Sequence, residues 1–244
     1  MGVSANTLFH FTKKKDFLKE ILKNNFYPKY SLEDLSNAIP DGSIYSARIP
    51  MVCFCDLLFS QIKDHIDFYG DYGIGLRKKE WGLKNEISPI IYVPNELTLI
   101  QQMTEQYRSL LKSKKGDLSI NKNLPDLYKY LKSYEGKAKN RQTQKMVDKV
   151  FYDEREWRYV PSDFAVLPED IDKKILNSEN EKMKVKSQLK FKAVDVKYII
   201  VKKEKEIPKF ADFIEKDLES RFDTNNRRLL VSKLISVEQI KDDI

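Results

Sequence analysis

"YDEREWRYV", residues 152–160, is the stretch on which the reading of the whole chain turns. Read as a β-strand, it sends successive side chains to opposite faces. Asp153, Arg155, Trp157 and Tyr159 then share one face, and Tyr152, Glu154, Glu156 and Arg158 share the other. The face with Trp157 and Tyr159 is the natural core side. The opposite face carries two carboxylates and an arginine at three successive same-side positions. Two readings stay open. A surface strand pairs Glu and Arg with charges on its neighbours. A cleft strand crowds its carboxylates so that cations, hydroxyls or a ligand must lie between them, which tunes acid and base strength.

Working outward, "LFHFT", residues 8–12, reads as a short strand with His10, one of only two histidines, at its centre. A half-buried histidine satisfied by its surroundings is one reading, and a ligand contact is the other. An amphipathic helix with Phe17, Leu18, Ile21 and Leu22 follows. Residues 27–49 look mostly irregular, with a short helix around Leu32–Leu35. "MVCFC" (51–55) is a second strand, and "LLFSQIKDHIDFYG" (57–70) continues as a helix carrying His65 and Tyr69. "YGIGL" (72–76) is a third strand whose glycines fit close backbone approach. "SPIIYVP" (88–94) is a short buried strand. Residues 95–150, mainly helical and very basic toward their end, form an insertion. Strands return at "EREWRYVP", "QLKFKAV", "VKYIIVKK" and "RRLLVSKLI". "IPKFADFIEKDLESRF" (207–222) is an amphipathic helix. The fold class is α+β: one domain over 1–244, with a mixed central sheet of short strands, packed helices and a helical insertion over about 95–150. Strands and helices do not alternate regularly, which disfavours a doubly wound sheet.

Composition narrows the classes. With 41% hydrophobic residues, 13 Phe, 13 Tyr and 2 Trp, the chain can bury a real core and is not disordered. The net charge of +7 favours an anionic partner such as nucleic acid or a phosphorylated nucleotide, against the plainer reading of interspersed surface lysines. Two cysteines, Cys53 and Cys55, and two histidines make a structural zinc site unexpected. No Walker motif or GxGxxG is present. No signal peptide or membrane span is expected, so a cytoplasmic protein is.

Two resemblances add to this. "LFHFT" followed by "FLKEIL" resembles the opening of DarT-like ADP-ribosyltransferases, and "EREWRYV" is similar to their glutamate-bearing strand. Taken together, "LFHFT", "CFCDLL", "YGDYGIGL", "FYDEREWRYVP" and "VKYIIVKKE" resemble the AbiGi family of abortive phage resistance proteins, whose label is antitoxin. The first resemblance implies an ADP-ribosyltransferase-like fold and NAD as substrate. It implies that His10 hydrogen-bonds the NAD ribose and that Glu156 stabilises an oxocarbenium-like transition state. Glu154 would orient or deprotonate the acceptor. Tyr72 would stack on nicotinamide, with Tyr69 as its substitute. Arg77, Lys78 and Lys79, just after "YGIGL", have two readings of their own, a solvated turn or a contact to the pyrophosphate. The expected function is therefore an anti-phage NAD-dependent ADP-ribosyltransferase, with the basic region 112–149 pointing to nucleic acid as target. The second resemblance implies the alternative, a non-catalytic antitoxin that binds and restrains a partner toxin.

Overall fold

The computed structural model describes residues 5–34, 46–94, 102, 105 and 126–242 of the 244. The first half runs β1 (Thr7–Thr12), α1 (Lys15–Asn24), β2 (Lys29–Asp34), β3 (Ser46–Cys55), α2 (Ile62–Tyr69), β4 (Tyr72–Arg77), β5 (Ser88–Pro89) and β6 (Ile91–Val93). Then follow β7 (Leu131–Ser133), β8 (Glu135–Lys139), β9 (Met146–Val150), β10 (Glu156–Tyr159) and β11 (Leu167–Pro168). The chain continues with α3 (Lys173–Lys186), β12 (Val196–Val201), α4 (Ile207–Asp217), α5 (Thr224–Val231), β13 (Leu234–Ser236) and α6 (Val237–Asp242).

The central sheet has the order β13-β12-β4-β1-β3-β10-β5, with β2 and β11 also paired to β3. The β12–β13 pair is parallel and the other pairs in it are antiparallel, so this is the expected mixed α+β architecture. The two-residue period of β1 decides how the core is shared. Leu8 enters a cluster with Leu18 and Leu22 of α1 and Phe210, Phe213 and Ile214 of α4. Phe9 and Phe11 enter a second cluster with Ile62 and Ile66 of α2 and Val237 and Ile240 of α6. Phe17, counted in the apolar stripe of α1, is 53% exposed.

β1 zips to β4 over six residues but shares a single register pair with β3, Phe9↔Cys55. Beyond it the two strands fork. His10 sits at the fork, and its Nδ1 bonds the Cys53 carbonyl at 2.8 Å. A ring nitrogen thus takes the place of a missing ladder hydrogen bond, since a buried carbonyl without a partner is costly. This is why a strand centre carries a histidine.

Several expected elements change. Residues 29–34 form β2, not irregular chain with a helix, because six residues of β3 offer them a hydrogen-bonding partner. "RRLLVSKLI" is divided: α5 is capped by the Asp223 side chain on the Asn226 amide, and only Leu234–Ser236 is strand. The insertion read as helical lies mostly outside the described residues up to 125. From 126 onward it is a 3-10 turn followed by β7, β8 and β9. From Leu131 onward the backbone is satisfied by strand pairing, β7 on β6 and β8 on β9.

Gly70 ends α2 at φ +140°, and a Cβ there would lie 2.3 Å from the Thr12 carbonyl oxygen. Gly70→Ala is expected to cost about 2 kcal/mol or more, since both the backbone and the neighbouring strand end would have to shift. Urea titration against wild type checks this; a loss under about 0.5 kcal/mol would contradict the close approach.

Candidate functional site

The stretch 152–160 is not one continuous strand. Phe151–Glu154 is a 3-10 turn, and Arg155 at φ +44° redirects the chain into β10. Glu154, Glu156 and Arg158 still converge, as same-face positions would. The charged side is the more deeply buried: Arg158 is 0% exposed, while Trp157 and Tyr159 are half-buried against the core.

The three residues belong to a chain of alternating charges. Glu33 Oε2 meets Arg158 Nη2 at 2.6 Å, and Arg158 Nε donates to Glu156 Oε1 at 2.6 Å. Lys132 Nζ donates to Glu156 Oε2 and to Glu154 Oε2, both at 2.7 Å. Lys149 Nζ lies 3.2 Å from Glu154 Oε1, which also accepts the Tyr69 hydroxyl. Arg158 Nη1 donates to the Lys129 carbonyl at 3.0 Å, and the Glu156 amide donates to the Tyr92 hydroxyl at 2.8 Å. Three carboxylates and three cations balance one another. Burial pushes the Glu156 carboxyl up, and Arg158 and Lys132 more than reverse this, holding it well below the usual carboxylate range. Burial also raises Glu154, and Lys132 and Lys149 bring it below its ordinary value. Burial opposes the charge on Lys132, but Glu156 and Glu154 keep it firmly protonated.

Beside this chain, at the fork, is a cavity of about 260 Å3 lined by Phe9, His10, Phe11, Cys53, Phe54, His65, Tyr69, Lys132, Arg141, Glu154 and Glu156, among others. A neighbouring hollow of about 430 Å3 reaches Gln61, Asp64 and Lys149 and shares His65 and Glu154 with it. Burial lowers His10 to about 4 and His65 to about 3, so both rings are neutral at pH 7. Burial pushes both cysteine thiols up.

Of the residues singled out in the sequence, Glu154, Glu156, His10 and Tyr69 come together here. Tyr72 and Arg77 do not. The Tyr72 hydroxyl donates to Glu206 at 3.0 Å, and Arg77 Nε donates to the Val194 carbonyl at 2.9 Å. Lys78 is buried against Asp56 at 2.9 Å. Glu33, Lys132, Arg141 and Lys149 were not picked out from the sequence. They lie in stretches read as irregular or helical, and a lysine in a basic run carries no local mark of burial. Among the described residues no group of three His, Cys, Asp or Glu is placed to hold a metal ion, and no helix is long and apolar enough to cross a membrane.

A mixed sheet with a buried, charge-balanced wall is the setting in which kinship can be stated. The family model described as "Putative abortive phage resistance protein AbiGi, antitoxin" matches residues 24–202, well over half of the chain, and the chain belongs to that family. It is similar to the abortive phage resistance protein AbiGi of Lactococcus lactis subsp. cremoris, at 28% identity over 251 residues, covering 89% of this chain and 99% of that protein. No solved structure matches the chain. The antitoxin description overturns the expected NAD-dependent ADP-ribosyltransferase, together with its transferase activity. The cavity and its residues stand as geometry.

Proposed function

We propose that this chain is a non-catalytic antitoxin that holds a partner toxin in check by binding it, in the cytoplasm where that toxin would act. The observation that carries this is the family match over residues 24–202, whose description is antitoxin. The saturated wall agrees with it. Both oxygens of Glu154 and both of Glu156 already meet a cation or hydroxyl, an arrangement that holds a surface rigid and leaves no carboxylate poised to titrate near neutrality.

Charge distribution bears on the partner. Residues 112–149 hold eleven Lys and Arg against four Asp and Glu, an excess equal to the net +7 of the entire chain. The remaining residues balance at 33 of each sign. An acidic protein face suits this excess, and nucleic acid is the second reading it favours, recognised by affinity that falls steeply with salt.

The test is neutralisation. Cells expressing the gene that neighbours this chain's own are expected to stop growing, and to resume when the chain is co-expressed. The two purified proteins are expected to elute together in gel filtration. Persistent growth arrest with abundant folded chain would sink the antitoxin reading, and rescue without a complex would sink the binding mechanism.

A further inference from the structure

Three adjacent strands of the central sheet bring cations to one end. β12 and β13 are parallel, so Lys197, near the start of β12, and Lys233, just before β13, lie at the same end of the pair. β4 runs antiparallel to β12 and delivers its last residue, Arg77, to that end. The register re-aims one of them. Val196 pairs with Leu76 and Tyr198 with Gly75, so Lys197 is the extra residue of a β-bulge, a feature that redirects the side chain it carries. Arg77, Lys197, Tyr198 and Lys233 line a pocket of about 400 Å3, with Leu234 and Ile235 as its apolar wall. Small-molecule sites ordinarily measure about 300–1,000 Å3.

No carboxylate lines this pocket. Cations close by in the chain are neutralised: Lys78 meets Asp56 at 2.9 Å, and Lys202, just past β12, meets Asp71 at 3.0 Å. Among the described residues Arg77, Lys197 and Lys233 have no ion pair, although all three are half-buried. Arg77 is held in place without being used up. Its Nε donates to the Val194 carbonyl at 2.9 Å, and its two terminal nitrogens meet no acceptor among the described residues. The Tyr198 ring is fixed by Phe9, 5.9 Å away, and Phe59, 4.7 Å away. Its hydroxyl has no hydrogen-bond partner among the described residues. Ser232 also lines the pocket, but its hydroxyl donates to the Leu229 carbonyl at 2.7 Å. Like charges gathered without a counter-ion repel, and an anion between them removes the repulsion.

We propose that this pocket binds a phosphate monoester, with the phosphoryl group among the three cations and the organic part against Tyr198, Leu234 and Ile235. A guanidinium fixed at Nε offers its two terminal nitrogens to two oxygens of one phosphoryl group, and the lysines add point charges. A monoester carries about −1.5 to −2 at one centre at pH 7. A carboxylate or a backbone phosphodiester brings a single charge to three cations. The cations also converge at strand ends instead of following a groove, which disfavours a nucleic-acid strand. The pocket and the antitoxin reading are independent, and either can fail alone.

The probe is phenyl phosphate, titrated calorimetrically into the full chain at about 0.1 M salt. It is expected to bind with a Kd below about 1 mM, about tenfold more tightly than inorganic phosphate, which has no ring to bury. Lys197→Gln and Lys233→Gln are each expected to weaken binding about tenfold, and Arg77→Lys by a similar factor, because an ammonium does not replace the fork. Lys173→Gln, on α3 beside β2 and across the sheet, is expected to change it by less than about twofold. Neither glutamine variant is expected to melt below the wild type, since each removes a repelling charge. A lower melting temperature in both would show that these lysines have partners in the fold and would overturn the proposal. So would phenyl phosphate that gives neither heat nor a rise in melting temperature, or binding untouched by the three substitutions. Equal affinity for inorganic phosphate would assign the pocket to free phosphate. Tighter binding of an RNA or DNA oligonucleotide, lost in the same variants, would assign it to nucleic acid. Either result overturns the monoester.

Discussion

Arg158→Met is expected to lower the unfolding free energy by about 3–5 kcal/mol, the loss typical of breaking a buried ion pair from one side. Arg158 is 0% exposed and holds together three partners: Glu156 Oε1, Glu33 Oε2 and the Lys129 carbonyl. Methionine fills similar space but donates nothing. Glu156, 6% exposed, would keep Lys132 alone, shared with Glu154, and the alternation of charge would fail at its centre. The cost arises from charge left in a poor solvent, so it should shrink when that charge is removed as well. The double variant Arg158→Met, Glu156→Gln is expected to recover part of the loss, a non-additivity that a simple packing defect would not produce. Urea unfolding at pH 7 measures both variants. A single-variant loss below about 1 kcal/mol would mean that the ion chain contributes little.

Stability is also expected to fall as pH drops below about 6.5, well before the carboxylates titrate. His10 and His65 have a reference value of 6.5 and are lowered in the fold to about 4 and about 3, mainly by burial. Depressed histidines favour folding as neutral rings. Their contribution is whole above 6.5 and is lost as pH falls toward the folded values, because there the unfolded chain binds more protons. Each ring can contribute up to about 1.4 kcal/mol per pH unit in that window, so a drop from pH 6.5 to 5 is expected to cost about 2–4 kcal/mol. Glu154 and Glu156 act later. Their lowered values stabilise the fold above the ordinary carboxylate range, and that stability goes as pH falls below about 4.5. His65→Phe should flatten the upper part of the profile and leave the lower part. A profile level between pH 6.5 and 5 would show that the two rings are not desolvated.

The strands around His10 and Tyr72 and the strand at 196–201 could be read locally because each carries its own alternation or apolar run. Helix α4 announced itself through Phe210, Phe213 and Ile214 at helical spacing. The convergence of Glu154, Glu156 and Arg158 was legible from side-chain parity, although the turn at Arg155 was not. β2, β7, β8 and β9 were not legible. Their side chains are largely polar or charged, and what holds them is pairing to segments distant in sequence or a hairpin closed around a docked tip. The counter-charges were hidden for the same reason. Lys132 and Lys149 look like the exposed lysines around them.

The amino-acid sequence alone determined the α+β class, the principal apolar faces and the gathering of Glu154, Glu156 and Arg158 on one side of the chain, because periodicity and parity are properties of a few neighbouring residues. Tertiary structure alone decided that β1 and β3 fork at His10, that Lys132 and Lys149 neutralise the acids, and that β8 and β9 close into a two-stranded ribbon of their own. Each of these depends on which distant backbone comes to lie alongside. Burial changes the energy of a charge only once that neighbour is in place.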